Sequence, residues 1–194
     1  MNPYVSATLA MCVIVILSLV ATAYMAMFFN KRAKADLEQA MKPLADVLGG
    51  ELNLEDATVK GKFAGHIAEG RMATSIIGAG RVFHTSVIDG AGGSKWAYYL
   101  VPAKSPGEPA AITFESDKPD LESELLVGLE EEVEPFKDRV GWTRIEYDPA
   151  PGHVRITRPM RTRHDIPSSE EFKTQLETVV FAADKNRIVQ RPEP

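Results

Sequence analysis

Between Asn2 and Asn30 the chain carries no Asp, Glu, Lys, Arg or His, and all 22 of its Lys and Arg and all 27 of its Asp and Glu follow that stretch. As a helix rising about 1.5 Å per residue, Tyr4 to Phe29 measures about 39 Å. A hydrocarbon core is about 30 Å thick and needs only ~20 apolar residues to cross. Eleven Leu, Ile, Val or Phe residues in the run contribute roughly −3 to −7 kcal/mol on an insertion scale, with no charge opposing them. Tyr4 at one end and Phe28 and Phe29 at the other suit the two interfaces. The run therefore reads as one transmembrane helix.

A cleavable signal peptide would use Ala21-Thr22-Ala23 as its small-residue site. No basic residue precedes the apolar run, however, and the run continues through Tyr24 to Phe29 beyond that site. A lipoprotein would need a small residue before Cys12, where Met11 stands. The flanking charge sets the orientation. Lys31, Arg32 and Lys34 follow the span directly, and basic residues stay cytoplasmic. The N-terminus is expected outside and the soluble part in the cytoplasm.

The remaining 164 residues are the size of one domain. Mean hydropathy is −0.14 even with the span included, so this part is distinctly polar. Cys12 is the sole cysteine, which leaves the domain no disulfide and no thiolate for catalysis or metal binding. Three segments are expected: an anchor over 1–30, a juxtamembrane helix or stalk over 31–50, and an α+β domain over 51–194.

In the stalk, Leu37, Met41, Leu44 and Leu48 share one helical face. Pro43 predicts a kink, and Gly49-Gly50 predicts a stop. Such a face packs on its own domain or receives a partner helix. Short β-branched and aromatic runs then predict strands over Ala57–Phe63, His66–Ile77, Arg81–Ile88, Lys95–Pro102 and Ala110–Glu115. One hairpin is expected to join Val82–Ile88 to Trp96–Val101 through Asp89-Gly90-Ala91-Gly92-Gly93. A second pairs Trp142–Tyr147 with His153–Arg158, where Thr143, Ile145 and Tyr147 alternate with Arg144 and Glu146. Leu121, Leu125, Leu129 and Val133 sit four apart, as in a helix, while Leu125-Leu126-Val127-Gly128-Leu129 also fits a strand. Ser168-Ser169-Glu170-Glu171 opens a last helix as a capping box, with Phe172, Leu176, Val179, Val180 and Ala183 in one stripe. Residues 104–109 are expected to form a loop and Pro192-Glu193-Pro194 a tail. Together these give an antiparallel sheet with helices packed against it.

No motif carries chemistry. His66, His84, His153 and His164 lack metal-ligand spacing. Gly78-Ala79-Gly80 has Phe83 where a dinucleotide fingerprint needs its third glycine, and Gly90 to Lys95 has Ser94 and Trp96 where a phosphate loop needs glycine and a hydroxyl. Neither an enzyme nor a bound cofactor or metal is expected. Charge is segregated: Glu115–Asp138 holds ten acids and two lysines, while Arg139–Arg163 holds six arginines against Glu146 and Asp148. Arg155, Arg158, Arg161 and Arg163 are candidates to meet anionic lipid headgroups or an acidic partner, at about 1 kcal/mol for each basic residue near an anionic leaflet. With a net charge of −5 and no aromatic residue interleaved in that patch, nucleic acid is not an expected partner. Within the span, Ser18, Thr22 and Ala26 recur every four residues and allow another transmembrane helix to approach closely.

A lone anchor, a compact domain and missing chemistry point first to a non-catalytic accessory or scaffold subunit of a larger membrane complex, such as a respiratory or photosynthetic assembly. A membrane-tethered sensor or ligand-binding module is the alternative, with glycine-rich hairpins at a pocket mouth. An enzyme working through unrecognised carboxylates or histidines comes last.

Overall fold

The computed structural model describes residues 3–75, 80–90, 92–102, 110–118, 120–137 and 141–190, the side chains at 3, 5–7, 10, 127 and 163 excepted. The chain divides into two compact units, Met1–Gln39 and Ala40–Pro194.

Helix α1 runs from Pro3 to Leu48 and continues through Pro43. Its apolar part is long enough to cross a membrane, and the most apolar window buries nothing against protein. Its last turns belong to the second unit, where Met41, Leu44, Ala45 and Leu48 are buried. Gly49 ends the helix at φ +55°. The Gly50 amide reaches back to Ala45 O and the Gly49 amide to Asp46 O, both at 3.1 Å. This six-to-one and five-to-two pairing satisfies the last carbonyls and places glycine where positive φ costs little.

Eight strands follow: β1 Glu51–Asn53, β2 Thr58–Phe63, β3 His66–Thr74, β4 Arg81–Ile88, β5 Trp96–Val101, β6 Ala111–Ser116, β7 Thr143–Asp148 and β8 His153–Met160. They form one antiparallel sheet in the order β1-β2-β3-β4-β8-β7-β5-β6. Helices α2 Leu121–Glu132, α3 Glu134–Lys137 and α4 Ser169–Val189 complete the domain.

The second expected hairpin is present, with Asp148 opposite His153 and Ile145 opposite Ile156. The first is not. β4 pairs with β3 and β8, and β5 with β6 and β7. The hairpin β7–β8 lies between β4 and β5, so the connection must step over two strands, ~14 Å at about 4.8 Å per strand. It is held from α4. Gln190 Nε2 donates to Ser94 O at 2.9 Å and its Oε1 accepts the Ser94 amide. Arg187 bonds the side chain and carbonyl of Asp89, and Tyr147 Oη donates to Gly92 O at 2.9 Å. The glycines thus serve a crossover, and Gly90 itself donates to Gly152 O at 3.3 Å.

The segment after Asp120 is a helix. Leu121, Leu125, Leu129 and Val133 are all buried, as the four-residue spacing requires. Gly128 departs from helical φ at +86°, and a Cβ there would meet the Phe181 ring of α4 at 2.9 Å. Ser168 caps α4 by accepting the Glu171 amide at 3.2 Å.

Strand parity divides the sheet into two faces. Val59, Phe83, Val87, Tyr98, Ile145, Tyr147, Val154 and Ile156 are buried and share the face that α4 packs against. Phe83 meets Phe172 of α4 edge-to-face at 6.0 Å. Gly70 makes room for that ring, since a Cβ there would lie 2.9 Å from both Phe172 and Val59. Residues 1–2, 76–79, 91, 103–109, 119, 138–140 and 191–194 lie outside the described part. The ends of the expected strand to Ile77, the loop, the Gly78-Ala79 pair and the tail fall there.

Candidate functional site

Alternation sends the other set of side chains to the opposite face of the same strands. These are the polar ones: Lys60 of β2, Glu69 and Arg71 of β3, His84 and Ser86 of β4, Arg155 and Thr157 of β8, Arg144 and Glu146 of β7. A cavity of about 550 Å³ lies over them, lined by strand residues together with Thr74, Ser75 and Pro151 at the strand ends and a turn. That is within the usual range of small-molecule sites. A second cavity of about 310 Å³ shares Lys60, Glu69 and Arg71 with it and adds Glu51, Asn53, Asp56 and Thr58.

Register places the key groups in rows. Arg71 stands opposite His84, His84 opposite Thr157, and Thr157 opposite Arg144. The neighbouring row runs from Lys60 through Glu69, Ser86 and Arg155 to Glu146. His84 Nδ1 and Thr157 Oγ1 are 2.9 Å apart. Burial, with Arg155 and Arg71 alongside, pushes His84 down from 6.5 to about 4, so it is neutral near pH 7. Burial and Arg155 push His153 down as well.

The acids are engaged unequally. Glu146 takes Arg144 at 2.7 Å, whereas Arg155 approaches it only to 3.8 Å. Arg144 also lies over the Tyr99 ring at 4.9 Å, a cation–π contact. Lys60 pairs with Glu69 at 3.3 Å. Arg71 is exposed and has no hydrogen-bond or ion-pair partner among the described residues. The cavity therefore offers two fixed ion pairs and two guanidinium groups that are free or loosely held.

The residues expected from sequence fall in three places. Arg155 lines the cavity. Arg158, three residues further along β8 and therefore on the helix side, is 15% exposed and bonded to Glu171 of α4 at 2.5 Å, so it serves the interior of the domain. Arg161 is exposed at the end of β8, and its amide together with Thr162 donates to Asp165. The Arg163 side chain lies outside the described residues. Arg155 and Arg158 therefore do not share one surface. Ser18, Thr22 and Ala26 are exposed on α1, and Thr22 Oγ1 donates to Ser18 O at 2.8 Å. Lys31, Arg32 and Lys34 are exposed further along it.

Arg71, His84 and Arg144 escape sequence reasoning because they belong to three separate strands. Their signal is a repeated pair of polar residues two apart (Glu69/Arg71, His84/Ser86, Arg144/Glu146, Arg155/Thr157), which alternation puts on one face. Among the described residues no three His, Cys, Asp or Glu side chains cluster as metal ligands would. The chain matches no family model, no curated protein and no solved structure.

Proposed function

We propose that this chain is a non-catalytic, single-span membrane module whose domain binds a ligand on the open face of its sheet. In this reading α1 crosses the bilayer with the N-terminus outside, and Lys31, Arg32 and Lys34 keep the domain cytoplasmic. The observation that carries it is the asymmetry of the sheet. One face is filled by helices, while the other keeps a cavity of about 550 Å³ lined by paired and unpaired charges from four strands. Charges on an exposed sheet face are ordinarily dispersed in solvent; here they surround a half-buried, neutral histidine.

A thermal-shift screen of the full-length chain in zwitterionic detergent against a metabolite panel tests it, since a ligand for the folded state raises Tm by mass action. At least one compound should raise Tm, and substituting Arg71 or Arg155 should remove the effect. No shift from any compound would count against the reading.

A second reading is an accessory subunit of a larger membrane assembly, with other transmembrane subunits as partners and anionic headgroups near the basic flank. It is favoured by the fully unburied apolar window of α1 and by the small-residue face at Ser18, Thr22 and Ala26, which admits close helix packing. Purification from native membranes in mild detergent, followed by mass spectrometry, separates the two. Stoichiometric co-purifying membrane proteins support the subunit reading, and a lone monomer argues against it.

A further inference from the structure

We propose that the open-face cavity is a binding site for a phosphate-type dianion, held between Arg71 and Arg155 above His84. The inference rests on the ligand-binding reading above and adds the chemical class of the ligand.

Charge is the first argument. Four cations line the cavity (Lys60, Arg71, Arg144, Arg155) against two acids, Glu69 and Glu146, which leaves two positive charges. The Lys60–Glu69 and Arg144–Glu146 pairs close on themselves at 3.3 and 2.7 Å. The surplus therefore resides on Arg71, which has no partner among the described residues, and on Arg155, whose nearest carboxylate oxygen is 3.8 Å away. An unpaired Arg71 and an Arg155 held only at 3.8 Å repel each other in one cavity, and a dianion would balance them.

Geometry is the second argument. Arg71 on β3 and Arg155 on β8 flank β4, so they approach the space above His84 from opposite sides, with Cα atoms two strand spacings apart across the sheet and two residues apart along it, roughly 12 Å. A planar carboxylate is matched by one guanidinium fork. A tetrahedral oxyanion directs its oxygens several ways and accepts two forks from different sides, with the hydroxyls of Ser86 and Thr157 on the same face beneath it.

His84 supplies the third argument. It is held neutral by burial and by the two arginines that surround it. The charged groups facing it are Arg71 from β3 and Arg155 from β8, with Arg144 of β7 one strand beyond Thr157. A bound dianion opposes all of them, so binding favours proton uptake by His84, and by linkage the dianion binds more tightly as pH falls. The size of the cavity leaves room for an organic body, and the adjoining cavity adds the carboxylates of Asp56 and Glu51, acceptors suited to hydroxyl groups. A phosphate monoester of a small polyol fits both. The same chemistry occurs in soluble metabolites and in phosphomonoester lipid headgroups.

Isothermal titration calorimetry tests this on the full chain in phosphatidylcholine nanodiscs, with sulfate, inorganic phosphate, glycerol 3-phosphate, succinate and acetate. Sulfate keeps two charges across the pH range and so isolates the protein's own titration. The expected result is saturable sulfate and phosphate binding, weakened ~10-fold or more in Arg71→Gln and Arg155→Gln, whose guanidinium groups make charge-assisted bonds to the anion, and unchanged in Arg161→Gln. Sulfate affinity should rise at least ~3-fold from pH 7.5 to 5 in the wild type and stay flat in His84→Gln. Without any variant, the His84 ring signals in NMR should move during the sulfate titration. Nanodiscs containing phosphatidic acid distinguish the sources: competition with sulfate by the lipid assigns a headgroup, and competition by glycerol 3-phosphate alone assigns a soluble ester. Folded Arg71→Gln/Arg155→Gln protein binding sulfate as the wild type does, or unmoved His84 signals, would overturn the proposal. Tight binding of succinate or of an uncharged metabolite, with no sulfate or phosphate binding, overturns the tetrahedral phosphate-type ligand while leaving the ligand-binding reading in place.

Discussion

Asn186 is fully buried in α4 and joins three elements at once. Its Oδ1 accepts from Trp96 Nε1 at 2.7 Å and from Gln190 Nε2 at 2.6 Å, and its Nδ2 donates to Asp89 Oδ2 at 2.6 Å. Replacing it with alanine strands the indole N–H and deprives a buried carboxylate of a donor. Each buried group left unpaired costs ~1–3 kcal/mol, so Asn186→Ala should lower stability by about 2–4 kcal/mol in chemical denaturation. His84 sets a pH dependence of its own. Its folded value of about 4 lies below the ordinary 6.5, so the folded state binds fewer protons than the unfolded one. Its contribution is complete above pH 6.5 and is lost as pH falls from there to about 4. Melting curves across that window should show His84→Gln gaining Tm relative to the wild type as the solution is acidified. Equal Tm differences at pH 7 and pH 4.5 would contradict the assignment.

At the level of single elements, α2 separates the two arrangements its sequence allows. Leu125 is fully buried while Leu126 is only half-buried. Leu125→Ala should therefore cost ~2–4 kcal/mol, and Leu126→Ala clearly less. Ser168→Ala removes the acceptor for the Glu171 amide and should cost about 1 kcal/mol. The elements readable from sequence are those whose instructions are local. The α4 cap lies within four residues, the β7–β8 turn fixes its own register, and Gly49-Gly50 closes α1 by contacts with Ala45 and Asp46. The β4–β5 hairpin that the glycines predict does not form, because partner choice is not local. Gly90 to Gly93 permit a tight turn but do not require one, and Asp89, Gly92 and Ser94 are instead bound by Arg187, Tyr147 and Gln190, far along the chain. The cavity was hidden for the same reason. Arg71, His84, Thr157 and Arg144 become neighbours only once β8 and β7 pair beside β4. Arg158 belonged to the sequence's basic cluster by position, yet strand parity turns it inward to Glu171 while Arg155 faces the cavity.

For the whole molecule, the proposal joins two features of different standing in the sequence. The uncharged opening run announces its length and polarity directly, and the structure carries it as part of one helix from Pro3 to Leu48. The domain's open face arises only from folding, through eight strands that place charge on one side and apolar residues on the other. If the run is an anchor, the ligand site operates beside a bilayer; without the anchor, neither the cytoplasmic placement nor the subunit reading has a basis. Alkaline carbonate extraction of membranes bearing the untagged chain, followed by intact-mass analysis, tests that dependence most directly. The account requires the protein to stay in the pellet with its N-terminal segment attached, at close to 21.3 kDa; release into the supernatant, or a mass shortened by the segment through Ala23, would contradict it.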